Sequence, residues 1–181
     1  MKKLIVLAIF VSGFTAVHAQ KYITRTGKVT FFSNTAIEKI EAFNNEVANI
    51  LDSKTGDIIF QMPIKSFKFE KELMAEHFNE DYMESDKFPK SDFKGKVTNI
   101  SEVNFSKDGT YNVKAEGKLT IHGVTQTVSI NGTMTVKGKD VTVNSKFMIK
   151  TKDYGIKIPS VVEGKIAKEI EITVNSVLST H

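Results

Sequence analysis

The sequence predicts an all-β domain in which about eight antiparallel strands curl into a closed barrel, with one short α-helix near the barrel mouth. Three observations carry this expectation. Strict period-two alternation of apolar and polar residues runs through most of the second half of the chain. Glycine-containing turn signals separate the alternating runs. One segment alone, Glu70–Met83, combines good helix formers with apolar residues recurring every four positions.

Taken in order, residues 1–19 come first as a leader. Lys2 and Lys3 precede an apolar run, Leu4–Val17, and Val17-His18-Ala19 offers small residues at −3 and −1 of a cleavage site. This pattern predicts a signal peptide, with residues 20–181 as one exported, periplasmic or secreted, domain. An uncleaved anchor is the rival reading. No later apolar stretch reaches the roughly 18 residues that span a bilayer, so no stable membrane insertion of the domain is expected. Lys28–Ser33 and Ile58–Ile64 read as strands. Between them Ile37, Ile40, Phe43, Val47 and Ile50 recur at spacings nearer three and four than two, which suits a helix. Asn44-Asn45 interrupts that helix, and barrel closure wants a strand, so extended structure is favoured over Ile37–Leu51. In the helical segment Met74, Phe78 and Tyr82 share a face, Glu70 and Glu72 suit the first turn, and Phe88-Pro89 terminates it.

The remaining elements follow as hairpins. Val103–Lys107 is read as a strand joined through Asp108-Gly109 to a long strand with Tyr111, Val113, Ala115, Gly117, Leu119 and Ile121 on one face. After a His122-Gly123 turn the inward set continues as Val128, Ile130, Gly132, Met134 and Val136. Lys137–Asp140 then turns the chain into Val141, Val143, Ser145, Phe147 and Ile149, and the last strand alternates from Ile170 to Leu178. Long neighbouring amphipathic strands of this kind close on themselves, because closure removes their unpaired edges.

Composition narrows the function classes. Without the leader, 23 Lys and Arg stand against 21 Asp and Glu, a net charge of +2, and no basic cluster survives to neutralise a row of phosphates. Nucleic acid is therefore not an expected partner. Cysteine is absent, which excludes disulfides, thiolate metal sites and cysteine nucleophiles. There is no G-x-S-x-G, no H-E-x-x-H and no phosphate-cradling glycine loop. His77 with Glu80 and Asp81 is the nearest approach to a metal or acid–base site, although acids on a solvated helix face are common. No metal, cofactor or catalytic residue is expected. The oligomeric state stays open, a homodimer included.

The inward positions carry more. Gly95, Ala115, Gly117, Gly132 and Ser145 fall on the predicted buried face, on four strands, among larger apolar residues. Either these small residues leave a cavity for an elongated apolar guest, or they relieve strain where strands bend sharply. On the first reading Phe60, Met62, Phe93, Val97, Val113, Ala115, Leu119, Ile130, Met134, Phe147 and Ile172 line a hydrophobic tunnel. Phe67, Phe69, Leu73, His77, Phe78 and Tyr82 then gate or extend it.

Three blocks give the sequence a family likeness: HFNEDYMESDKFPKSDF from His77, GKLTIHGVT from Gly117, and FMIKTKDYGIKI from Phe147 with the strand that follows. Together they resemble the YceI-like family of exported lipid-binding proteins. The resemblance implies a lipocalin-like barrel and a bound polyisoprenoid, quinone or other long-chain lipid, a small hydrophobic ligand held without covalent chemistry. The alternatives are a hydrolase or isomerase using His77 at the mouth, and a solid envelope domain that binds a partner on its surface.

Overall fold

The computed structural model describes residues 20–180, so the predicted leader and His181 lie outside the described residues. Among the described residues there are nine strands: β1 (Lys21–Asn34), β2 (Lys39–Asp52), β3 (Asp57–Pro63), β4 (Lys68–Phe69), β5 (Lys90–Val97), β6 (Gly109–Ile121), β7 (Val124–Lys137), β8 (Asp140–Lys150) and β9 (Glu169–Thr180). Neighbours pair antiparallel around a ring in which β1 bonds both β9 and β2. The two-residue β4 pairs with Ala42 and Phe43 of β2, beyond the stretch of β2 that β3 covers. β3 and β4 thus share one position, and the barrel has eight walls.

The segment with ambiguous spacing is β2, and its pairing explains the ambiguity. Val29 faces Asn44 and Gly27 faces Val47, so β2 carries one extra residue there; Thr24 then faces Asn49, so β1 carries the next extra residue. The first bulge shifts the inward phase of β2 from Ala42 and Asn44 to Val47, Asn49 and Leu51, and the second does the same to β1 between Tyr22 and Gly27. A three-residue step inside a period-two strand imitates helical spacing. Asn44 stabilises the bulge: its Oδ1 accepts from the Glu46 amide at 2.8 Å, and its Nδ2 donates to the Pro63 carbonyl at 2.7 Å.

Two expected elements differ in the structure. Val103–Lys107 is not a strand. A 3-10 turn at Ile100–Glu102 leads into a loop that closes the lower end of the barrel. Val103 is buried beneath the core, and Phe105 stacks on Tyr22 with ring centroids 5.4 Å apart. The apolar alternation there serves a plug, and Asn104 turns the chain by accepting from the Ser106 amide at 2.9 Å. The helix is shorter than Glu70–Met83. Lys68 and Phe69 pair with β2, α1 spans Glu72–His77, and Phe78–Tyr82 continues as a π-helical turn in which the Met83 amide bonds the Phe78 carbonyl.

The hairpin turns follow their sequence signals. His122 (φ +51°) and Gly123 (φ +73°) both adopt left-handed backbone, which suits the twist of the tight β6–β7 hairpin. Below, Tyr22, Leu51, Ile58, Val97, Val136, Val141 and Leu178 form a solid floor, each 2% exposed or less. The β1–β2, β6–β7 and β8–β9 connections and α1 gather at the opposite end.

Candidate functional site

Above the floor the barrel is hollow. An inner cavity of about 110 Å³ is lined by Phe60 and Met62 from β3, Phe93 and Val97 from β5, and Val113, Ala115 and Leu119 from β6. Ile130 and Met134 from β7, Phe147 from β8 and Ile172 from β9 complete the predicted set in this wall, joined by Val29, Val47, Ile58, Val143 and Val174. Val97, Val113 and Met134 belong to its packed lower part, at 1%, 7% and 1% exposure. A second pocket of about 470 Å³ opens at the mouth and brings together Phe67, Phe69, Leu73, His77, Phe78 and Tyr82. The two spaces share Val29, Met62, Ser91, Ile121 and Ile172, which form a waist between them.

The small inward residues divide between the two roles foreseen for them. Ala115, Gly132 and Ser145 border the inner cavity, and Gly132 also lies so close to the Asn144 carbonyl that a Cβ there would collide with it. Gly95 and Gly117 instead face each other across β5 and β6 with backbones so close that a Cβ on either would collide with the other strand. That pair permits the sharp bend of the sheet, and the ring of Phe93 occupies the space over Gly95.

Four phenylalanines form the mouth's aromatic wall. Phe31 of β1 stacks on Phe78 at 5.3 Å, Phe69 meets Phe78 at 5.0 Å, and Phe67 lies 5.4–5.5 Å from both Phe78 and Phe31. The π-helical turn widens the helix just after His77, where Phe78 joins this cluster. His77 lines the mouth from an exposed position. Phe31 was missed by sequence reasoning, although alternation with the buried Val29 and Ser33 marks it. Ile156, Ile158, Val162 and Ile166 of the β8–β9 loop also line the mouth, and no periodicity announces them.

Ionisable groups stand at the rim, and a polar clasp lies beside it. Glu38, Lys71 and Lys165 border the opening. His122 ties three segments together: its Nε2 lies 2.7 Å from Glu84 Oε2, its Nδ1 lies 3.2 Å from the Tyr154 carbonyl, and its ring meets Phe88 edge-on at 4.7 Å. The bond from His122, chiefly, holds the Glu84 carboxyl below its ordinary pKa, with Lys87 assisting. Burial raises the Tyr154 and Tyr82 hydroxyls, with Asp153 and Asp81 adding to the effect. Among the described residues no three His, Asp or Glu side chains gather as a metal site. The chemistry on offer is apolar contact along a continuous wall, with hydrogen-bonding groups at the entrance.

The model of the YceI-like domain family matches residues 11–178. A polyisoprenoid-binding domain from Saccharophagus degradans superposes with a TM-score of 0.79 at 11% identity, over 91% of this chain and 100% of that one. Burkholderia cenocepacia BcnA gives 0.70 at 17% identity, covering 85% and 96%. The YCEI protein of Campylobacter jejuni gives 0.56 at 16%, covering 100% and 99%. No curated protein matches the sequence significantly.

Proposed function

We propose, since this chain belongs to the YceI-like domain family, that its barrel carries a long apolar chain, such as a polyisoprenoid, a quinone tail or a similar lipid, and performs no covalent chemistry. The observation that carries the reading is that two spaces with mainly apolar walls share one waist, with Glu38, Lys71 and Lys165 at the outer end. A domain from Saccharophagus degradans that binds polyisoprenoid has the same fold, which supports the choice of ligand class.

The energetics favour a chain over a compact ligand. Each buried CH₂ contributes about 0.8 kcal/mol, so a five-carbon isoprene unit contributes roughly 3–4 kcal/mol at most. Association costs on the order of 4–15 kcal/mol before net affinity appears. Several units must therefore be enclosed, which calls for depth, while the headgroup needs only the rim. The leader in residues 1–19 supports export, so the carrier works in the periplasm or outside the cell.

Mass spectrometry of solvent extracts from gently purified protein tests the proposal. A long-chain lipid is expected from the wild type and a depleted signal from Ala115→Phe, which fills the inner cavity. Repeated absence of lipid, with no uptake of long-chain probes, rejects it. If catalysis resided at the mouth, His77→Ala would abolish turnover; under carriage it leaves lipid affinity nearly intact.

A further inference from the structure

The three most exposed large apolar side chains among the described residues are Val161 at 87%, Ile37 at 69% and Leu73 at 60%. They come from three separate segments, the β8–β9 loop, the β1–β2 turn and α1, yet all stand around one opening. Leu73 lines the mouth pocket itself, and Ile37 and Val161 adjoin its lining residues Glu38 and Val162. Ile37 also reaches the β8–β9 loop: a Cβ added to Gly164 would lie 3.1 Å from its Cδ1, so turn and loop make one continuous rim. On that loop Glu163 is engaged by Lys168 at 2.9 Å, which leaves Lys157 and Lys165 flanking Val161 with free positive charge.

We infer that this rim docks the tunnel mouth onto a phospholipid bilayer, with Ile37, Leu73 and Val161 entering the acyl boundary and Lys157 and Lys165 meeting lipid phosphates. The inference rests on the carrier reading and deepens it. A lipid cargo resides in membrane, and an apolar rim around the entrance lets it pass from bilayer to tunnel without crossing water. Exposed apolar side chains mean little singly, but a group of them around one opening, rimmed by polar residues, suits a membrane interface. The cationic loop suits the phosphate layer, since lysine heads lie at the interface while their stems cover apolar surface.

Vesicles of phosphatidylcholine and phosphatidylglycerol provide the test, using the mature chain stripped of lipid. Cosedimentation reads the docking surface alone, and uptake of a fluorescent polyprenyl probe from dilute ethanol reads the tunnel alone. Wild-type protein is expected to cosediment, and the variant I37S/V161S, which leaves every residue lining the mouth pocket unchanged, to lose at least fivefold in partitioning while keeping its uptake from ethanol. The double variant I59S/V177S, which removes two exposed apolar residues from the outer wall, is expected to sediment like the wild type. Equal sedimentation of wild type and I37S/V161S, or none by either, overturns the docking surface whatever the ethanol assay gives. Failure of uptake from ethanol by the wild type counts instead against the tunnel.

Discussion

Phe78 touches Phe31, Phe67 and Phe69 and links the π-helical turn to the barrel wall. Phe78→Ala removes three aromatic contacts from a half-buried site and should cost about 3 kcal/mol of stability, measured by urea unfolding, with a wider mouth. Asn49 makes the opposite prediction. It is fully buried on the inward face of β2, and neither its amide nitrogen nor its oxygen has a hydrogen-bond partner. Such a group carries a desolvation penalty without return, so Asn49→Leu should raise stability by about 1–3 kcal/mol in the same experiment. A loss of stability would mean that Asn49 is satisfied by bound water. Inward-facing residues were legible wherever a strand kept its phase, as from Val113 to Leu119. Phe31 was not, because Phe32 beside it hides which ring faces in. Loop residues such as Ile158 were illegible because irregular backbone imposes no spacing.

At the scale of elements, the strands from β6 to β9 could be drawn from sequence almost as they stand, since thirteen consecutive pairs join β6 to β7 without a break in register. β2 resisted because a bulge resets its phase midway, and the 98–108 loop misled because a buried plug can alternate like a strand. The close approach of β5 and β6 predicts that Gly117→Ala, which sets a methyl against the Gly95 Cα and the Lys94 carbonyl, costs about 1–3 kcal/mol and loosens that pair of strands. The clasp between Glu84 and His122 joins the segment after the helix to the β6–β7 hairpin. Because the Glu84 pKa is lowered from its ordinary 4.5 in the folded protein, its contribution is present above that value and is lost as pH falls through the lowered one. Thermal unfolding of wild type and Glu84→Ala should therefore differ at about pH 6 and converge in acid, once the carboxylate is protonated.

The whole molecule divides into a solid floor and a hollow upper part, and only the second has a functional reading. The eight-walled ring closes through β1, which bonds both β9 and β2, and surrounds a common interior. Sequence alternation revealed that there was an inside, but the split between plug and cavity depended on loops and glycine contacts that alternation does not encode. The most direct measurement is the affinity of the lipid-free protein for prenyl alcohols of increasing length. Affinity should climb steeply with each added isoprene unit until the tunnel is full, and then level off. Affinity that ignores chain length, or no binding at any length, would contradict a barrel that encloses a long apolar guest.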